Sequence, residues 1–427
     1  MAEIIPFRGL RYNQERIKRL STVVTPPYDV ISLERQTQLY KSDSHNFIRV
    51  ILGKENKRDN QAHNRYTRAR DFLQSWIKRG FMVKDGKPAL YIYEQVYDFK
   101  GKKLSRLGFI GLLKLERPGK GTVFPHEKTF CKPKEDRLNL LKTVKANLCP
   151  IFSVYIDNNF QIDRLLHKYS RGRPLQSLRF EGVENRLWRI DDKSFIQRLA
   201  GLMSDKNIFI ADGHHRYEAA RLYRKLIGKT QNRKADKVMM YFCNLKSEGL
   251  KILPTHRVVR HIPEGTLQKL IPLLGRYFMV RGCSSRKELF GRLEAARGSA
   301  CAFGLYLGNR RFYLLTLIKQ KVKCAPGPGM KCYSRLDVVL LHDLIFDKLL
   351  GIKEEKPAGI KLLYTRDESE AIALVKAGKY QAAFFMNPPE PSQVSAIASR
   401  LKTMPHKSTY FYPKPISGLV INQFEER

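Results

Sequence analysis

The sequence is poor in acidic residues, in paired cysteines and in long apolar runs, and each shortage excludes a class of protein. Only 40 Asp and Glu residues stand against 79 Lys and Arg, which gives a formal net charge of +39. The seven cysteines are scattered and form no Cys-x-x-Cys pair, which argues against a disulfide framework and against a structural zinc site. No stretch approaches the ~20 uninterrupted apolar residues of a membrane helix, and no signal-peptide core follows Met1. We therefore expect a cytoplasmic protein without a membrane partner.

The residues that are present describe a globular chain. Hydrophobic residues make up 43% of the sequence, and 23 Phe and 20 Tyr supply enough apolar surface to exclude low-complexity disorder. A basic surplus attracts nucleotides, phosphorylated metabolites and nucleic acids. The lysines and arginines are spread through every region, however, so a small phosphorylated ligand is favoured and a nucleic-acid partner is possible but not favoured.

Short apolar runs alternate with amphipathic stretches, which predicts an α+β fold with mixed sheets and flanking helices. Residues 45–52 (HNFIRVIL) predict a strand, and residues 66–78 predict a helix. Residues 89–99 and 108–115 predict the two strands of a hairpin. Residues 207–211 (NIFIA) predict a buried strand that leads directly into a long helix.

A length of 427 residues suggests two or three domains. We divide the chain into three α/β regions: residues 1–150, 151–264 and 265–427. In the third region, strands and helices are predicted to alternate at residues 361–364, 368–376, 381–386 and 391–401.

The sharpest motif is Asp212-Gly213-His214-His215-Arg216, at the predicted change from strand to helix. The first amide groups of a helix have no acceptor within it, and the helix dipole adds positive character there, so this turn predicts a phosphate site. The imidazoles and the guanidinium supply charged donors for phosphoryl oxygens. Asp212 either caps the helix or holds a metal ion beside the phosphates. The alternative is a capped helix start with two surface histidines.

A second candidate is the loop that contains His126, Glu127 and Lys128. A carboxylate beside an imidazole can act as a general base when neighbouring charges or burial tune it. His126 and Lys128 are then candidates for binding the phosphate. The alternative is a solvated charged loop.

Further candidates are less specific. Lys407 and Ser408 belong to a Lys-Ser-Thr sequence that lacks the preceding glycines of a phosphate loop, so they either contact a phosphate or only pack. Tyr28 and Asp29 follow two prolines that preset a turn. We expect a structural role for this stretch, except that Tyr28 and Asp29 are candidates for lining a cleft. His256 fits either a buried histidine or a ligand contact.

Zinc is a further alternative for the histidines. His126, His214, His215 and His256, with Glu127 or Asp212, would be enough ligands, but no close histidine pair fixes their geometry.

Five blocks, taken together and in this order, resemble the signature of the bacterial and archaeal domain of unknown function 1015 family. They are residues 4–9, 26–31, 126–129, 211–218 and 404–411. A more distant resemblance concerns Gly213, Arg216 and Ala219, which are similar to the Gly-x-x-Arg-x-x-Ala core of the ParB/sulfiredoxin-like fold. Within that fold, this stretch resembles the version found in the archaeal ADP-dependent free serine kinase.

These resemblances imply a ParB/sulfiredoxin-like nucleotide-binding core in residues 151–264, with an additional α/β region. They imply an enzyme that transfers a phosphoryl group between an adenine nucleotide and a small hydroxy amino acid, serine or phosphoserine, in either direction. By position, Asp212, His214, His215 and Arg216 would hold phosphates and Mg²⁺, with Asp212 as the metal ligand. Asp212 and His215 are also our candidates for catalytic residues. We add Glu127 as the carboxylate that takes the serine hydroxyl proton. The alternatives are a ParB-like nucleotide- or nucleic-acid-binding protein without turnover and a zinc-dependent hydrolase. The oligomeric state stays open.

Overall fold

The structure, a computed structural model, describes residues 2–116, 121–125, 127, 129–228, 233–318, 336–352, 361–398 and 407–424. Its fold is mixed α/β, as predicted, and the chain forms two compact units. The first unit contains Met1–Pro125, Thr129–Lys251 and Phe411–Arg427, and the second contains His126–Lys128 and Ile252–Tyr410. Within the described ranges, no helix combines the length and apolarity needed to cross a membrane.

The first unit is built around one large mixed sheet. Its helices are α1 (Leu33–Ser42), α2 (Ile48–Ile51), α3 (Arg65–Lys78), α4 (Cys131–Val144), α5 (Gln161–Tyr169), α6 (Lys193–Met203) and α7 (His214–Ile227). The strands of the sheet are β1 (Ile4–Ile5), β4 (Leu90–Phe99), β5 (Lys102–Lys114), β6 (Val123–Phe124), β8 (Ile151–Tyr155), β9 (Gln176–Phe180), β10 (Val183–Ile190), β11 (Ile208–Asp212) and β12 (Lys237–Asn244). Their order is β6-β11-β8-β12-β5-β4-β10-β9, and β1 pairs with β5.

Two small antiparallel pairs complete the strands of this unit. They are β2 (Leu10–Tyr12) with β3 (Met82–Lys84), and β7 (Ala146–Asn147) with β21 (Asn422–Gln423). Strands β13 (Lys251–Leu253) and β20 (Tyr410–Tyr412) lie where the sequence passes from one unit to the other.

Most of the predicted elements of the first unit are confirmed. Strands β4 and β5 form the predicted hairpin, and Lys100 and Gly101 turn between them with positive φ angles of 50° and 78°. The predicted helix at 66–78 is α3, which begins where the Asn64 side chain accepts hydrogen bonds from two amides of the first turn.

The strand predicted at residues 45–52 is wrong, because the structure has the short helix α2 there. The Asn46 side chain accepts a hydrogen bond from Ile48 N (2.9 Å) and donates one to Thr22 O (2.7 Å). The bond from Ile48 N is local and stabilises a turn, and the bond to Thr22, 24 residues away, holds that turn in place. Together they outweigh the β-propensity of the apolar residues.

The structure also groups the chain differently from the three predicted regions. The large sheet takes β4 and β5 from residues 1–150 and β8, β11 and β12 from residues 151–264. One apolar core combines side chains from both regions, including Phe109, Ile151, Ile210 and Phe242. Strands that share a sheet and a core form one body, so the parts of residues 1–150 and 151–264 that build this sheet fold together.

The second unit contains a six-stranded antiparallel sheet in the order β15-β17-β16-β19-β14-β18. Its strands are β14 (His256–Arg260), β15 (Phe278–Cys283), β16 (Ala302–Tyr306), β17 (Phe312–Leu317), β18 (Lys361–Thr365) and β19 (Ala382–Met386). Its helices are α8 (Glu264–Gln268), α9 (Leu270–Leu274), α10 (Arg286–Ala295), α11 (Asp337–Leu340), a π-helix (Leu341–Leu349), α12 (Glu368–Lys376) and α13 (Pro391–Ala398). The alternation predicted from residue 361 is confirmed as far as residue 398.

His256 belongs to the core of the second unit. Its side chain is 1% exposed, its Nδ1 accepts a hydrogen bond from Met386 N (3.4 Å), and its ring meets that of Phe385 edge to face. Burial, with a smaller contribution from the Arg257 charge, lowers the pKa of His256 to about 4. Of the two possibilities that the sequence left open for His256, the structure supports a buried histidine.

We expect His256 to make the second unit less stable in acid. Between pH 6.5 and about 4 the His256 imidazole is protonated in the unfolded chain but stays neutral in the folded chain, so stability is lost as the pH falls through this window. At pH 4 this lowers the free energy of unfolding by about 3 kcal/mol. Above pH 7 His256 is neutral in both states, so it causes no loss of stability there. Urea unfolding followed by circular dichroism should show a smaller acid loss for His256→Gln than for the wild type. Replacing the exposed His63 by glutamine is the matched control, and an equal effect of both substitutions would contradict the prediction.

Candidate functional site

The change from strand to helix predicted at Asp212 is confirmed. Strand β11 ends at Asp212, Gly213 has a φ of 97°, and helix α7 begins at His214. The first backbone bond within the helix runs from Tyr217 N to Gly213 O (3.0 Å), so the amide groups of the first turn point out of the helix end. Asp212 is not the N-cap residue of the helix, because that position is taken by Gly213, which makes no side-chain cap bond.

Asp212 instead forms an ion pair with Arg216, one turn along α7. Arg216 Nη2 donates to Asp212 Oδ2 (2.7 Å), and Arg216 Nη1 donates to the Pro150 carbonyl oxygen (2.6 Å). The two side chains are only 13% and 16% exposed. Although burial alone lowers it, the Asp212 charge raises the pKa of Arg216 above its ordinary value, so the guanidinium is permanently charged. Arg216 Nε is buried and has no hydrogen-bond partner among the described residues.

Lys414 links Asp212 to a second carboxylate, that of Asp29. Its Nζ contacts both Asp212 Oδ1 and Asp29 Oδ2, and its side chain is 8% exposed. Desolvation acts to raise the pKa of Asp29, but the charge and the hydrogen bond of Lys414 lower it overall. Asp29, Asp212, Arg216 and Lys414, which we call the charge cluster, therefore contain two anions and two cations at the start of α7.

The position of Lys414 comes from the last segment of the first unit, residues 411–424, which we call the terminal strap. The Lys414 carbonyl oxygen accepts a hydrogen bond from Gln95 Nε2 on β4 (3.1 Å), and Ile416 N donates to Tyr93 Oη (3.4 Å). Just before Lys414 in the chain, two aromatic rings of the strap pack on rings of the sheet: Phe411 on Phe152, and Tyr412 on Tyr97 and Phe99. The strap thus holds the lysine backbone against the large sheet.

A buried arginine supports the same contact from within the sheet. Arg106 on β5 is fully buried, and its Nη2 donates to Gln95 Oε1. Its guanidinium lies 4.4 Å from the ring centroid of Phe152 and 5.2 Å from that of Tyr241. By bonding the oxygen of the Gln95 amide, Arg106 orients its nitrogen towards the terminal strap.

The two histidines of the motif differ in environment. His214 is buried, with 6% of its surface exposed, whereas His215 is half-buried. Phe130 N donates a hydrogen bond to His215 Nε2 (3.1 Å). Burial lowers the pKa of His215, against the opposing effect of Asp29 and Asp212. The ring is therefore neutral at pH 7, and since Nε2 accepts a bond, the proton is assigned to Nδ1.

A small cavity of about 60 Å³ lies beside the charge cluster. Its polar lining includes Tyr28, Arg137, Cys149 and Arg216, and the rest of its wall is mainly aliphatic. The Arg137 guanidinium lies 4.0 Å from the ring centroid of Tyr28, and burial raises the pKa of Tyr28 to about 12. Tyr28 therefore lines a cavity, which is the role that the sequence left open, and its hydroxyl stays protonated.

The remaining candidates lie in the second unit. Glu127 Oε1 accepts hydrogen bonds from Thr409 N (3.4 Å) and Thr409 Oγ1 (3.2 Å). The adjacent Ser408 is 1% exposed, and Lys407 Nζ lies 5.1 Å from the ring centroid of Tyr364. The structure thus brings Glu127 together with the Lys-Ser-Thr sequence. His126 and Lys128 lie outside the described residues.

The zinc hypothesis needs at least three protein ligands at one place. Over the part of the chain that the structure describes, no group of three His, Cys, Asp or Glu side chains is placed to hold a metal ion. His126, one of the histidines considered for zinc, is not among those residues.

Comparison with known proteins gives distant structural similarities. A conserved hypothetical protein from Pyrococcus furiosus is 14% identical, and the alignment covers 70% of this chain and 91% of that chain with a TM-score of 0.34. A mutant free serine kinase in complex with ADP is 14% identical, with coverage of 71% and 89% and a TM-score of 0.38. SbnI with a C-terminal truncation, from Staphylococcus aureus, is 12% identical, with coverage of 74% and 87% and a TM-score of 0.38.

No curated protein matches this sequence. The family described as "Protein of unknown function (DUF1015)" matches residues 4–339, and this range contains both the Glu127 loop and the start of α7. The family resemblance seen in the motifs is thereby confirmed over well over half of the chain, and the chain belongs to the DUF1015 family.

Proposed function

We propose that the start of α7 in the first unit binds the phosphate groups of an adenine nucleotide. The observation that carries this proposal is Arg216 Nε, a buried charged donor without a hydrogen-bond partner in the described part of the chain. A buried donor left in this state costs about 1–3 kcal/mol, which a phosphate oxygen would recover. The donor lies against the glycine turn, because a Cβ built on Gly213 would be 3.0 Å from Arg216 Nε.

The surrounding groups are suited to an anion. The amide groups of the first turn of α7 and the positive end of its dipole favour negative charge. The Nδ1–H of neutral His215 is a hydrogen-bond donor, whereas its Nε2 is engaged by Phe130 N. This arrangement supports His215 as a donor to a phosphoryl oxygen and argues against His215 as a general base.

We further propose that the bound nucleotide exchanges a phosphoryl group with a small hydroxy amino acid, serine or phosphoserine. Phosphoryl transfer requires mainly positioning and neutralisation of charge, which fixed donors such as Arg216 provide. The choice of the amino acid, and of a ParB/sulfiredoxin-like core in residues 151–264, follows the sequence resemblance. Glu127 remains our candidate for the group that takes the hydroxyl proton, and Gly213, His214, His126, Lys128, Lys407 and Ser408 remain candidates for binding the substrates.

The direct test is an assay with purified full-length protein. The protein is incubated with serine and ADP or ATP, and separately with phosphoserine and AMP or ADP, and serine and phosphoserine are measured by mass spectrometry. We expect conversion in one direction and its loss in a His215→Ala, Arg216→Ala double variant. The matched control is Arg221→Ala, which removes another arginine that is ion-paired on the same helix.

Three results would contradict parts of the proposal. Full turnover in the double variant would remove the start of α7 from the reaction. Nucleotide binding without turnover would favour the ParB-like binding protein over the enzyme. DNA binding that is tighter than nucleotide binding and persists in salt would favour the nucleic-acid partner instead.

A further inference from the structure

The metal role implied for Asp212 does not fit the donors around it. Asp212 Oδ1 contacts the Lys414 ammonium, and Asp212 Oδ2 contacts the Arg216 guanidinium. Mg²⁺ requires an octahedral set of oxygen ligands at about 2.0–2.1 Å and keeps several waters. Two fixed cations on the two oxygens of the same carboxylate leave no such set at Asp212 and repel a third cation.

We propose that Lys414 takes the position of a divalent cation between Asp29 and Asp212. An ammonium that contacts two carboxylates from distant parts of the chain provides the bridging positive charge that a metal ion provides in other sites. Together with the proposed function, on which this step rests, the Lys414 ammonium then holds the two carboxylates in place beside the phosphate site. Phosphate binding at the start of α7 would need no metal ion held by the protein.

The packing of Lys414 supports a permanent role for this cation. Its side chain is 8% exposed, and its backbone is held by Gln95, which Arg106 orients. A desolvated ammonium is retained only where carboxylates compensate its charge. If Lys414 were removed, Asp29 and Asp212 would face each other as two carboxylates, which is a donor pair that divalent cations bind.

This reasoning leads to a gain-of-binding experiment on the full-length protein without nucleotide. Mn²⁺ is titrated into the wild type, Lys414→Met, Asp29→Asn and a Lys414→Met, Asp29→Asn double variant, and free Mn²⁺ is measured by electron paramagnetic resonance. We expect Lys414→Met to gain a Mn²⁺ site at least tenfold tighter than any in the wild type. The double variant should lose that site again.

The matched control is Lys114→Met, which removes the lysine of an exposed pair with Glu3 and should gain no site. A Lys414→Met variant that folds and binds Mn²⁺ no better than the wild type would overturn the inference. So would a wild-type Mn²⁺ site that disappears in Asp29→Asn. The comparison of the wild type with Asp29→Asn tests the inference even if Lys414→Met does not fold. Equal Mn²⁺ binding by these two proteins supports the inference.

The proposed function can fail separately from this inference. The Mn²⁺ titration contains no nucleotide, so it reports only whether Lys414 occupies a cation position. Absence of nucleotide binding by the wild type would contradict the proposed function and leave the Mn²⁺ result as it stands.

Discussion

Arg216→Ala is expected to destabilise the first unit by about 3 kcal/mol, because it removes one of the two cations that compensate the largely buried Asp212 carboxylate. The substitution removes the donor to Asp212 Oδ2 and the donor to the Pro150 carbonyl oxygen. Asp212 would keep its ion pair with Lys414 but lose its ion pair with Arg216, so only one cation would remain to compensate the carboxylate charge. We also expect phosphate binding to be lost, since the buried Nε is the group proposed to receive the ligand.

The stability of the first unit can be measured separately in the full-length protein. Both tryptophans of the sequence, Trp76 and Trp188, lie in the first unit and are 3% and 7% exposed. Urea unfolding followed by tryptophan fluorescence therefore reports the stability of this unit. Arg221→Ala is the matched control on α7, because its pair with Glu218 is more exposed and is worth about 0–1 kcal/mol. Equal losses in the two variants would contradict the importance of the Arg216 contacts.

Gly213→Ala is expected to weaken nucleotide binding about a hundredfold, which corresponds to the loss of roughly 3 kcal/mol of hydrogen bonding to a charged group. The new Cβ would lie 2.8 Å from Arg216 Nη2 and 2.9 Å from Arg216 Cζ, so the guanidinium would have to move. The φ of 97° is also unfavourable for a residue with a side chain. Titration calorimetry with ADP and with AMP measures the effect.

The helix provides its own control for backbone strain. Gly228, at the other end of α7, has a φ of 69°, but a Cβ there would meet no atom of the described residues within 4 Å. Gly228→Ala should therefore introduce at least as much backbone strain without displacing any donor, and it should bind nucleotide like the wild type. If Gly213→Ala bound ADP as tightly as Gly228→Ala, the close approach of Arg216 to the turn would have no role in binding.

The strand-turn-helix at Asp212 was predictable from residues close together in the chain. A short apolar run, a glycine and a polar helix start are local signals, and the structure has β11, Gly213 and α7 at those places. The local signal at residues 45–52 was misleading, because the Asn46 side chain bonds to Ile48 N and to the carbonyl oxygen of the distant Thr22. The periodicity of apolar residues carries no information about a contact between such distant residues. The division into units also depended on pairing between distant strands, such as β5 with β12.

The chain's composition and local patterns established its mixed α/β class, the family to which it belongs and the helix start at which phosphate chemistry is proposed. The class and the helix start depend on residues within about one turn or one strand of each other, and each family block is itself a short local stretch. The charge cluster depended on contacts across the fold, since Lys414 and Asp212 are 202 residues apart and Asp29 is still farther from Lys414 along the chain. No periodicity relates residues at such separations, and only the path of the terminal strap across the large sheet places the Lys414 ammonium between the two carboxylates.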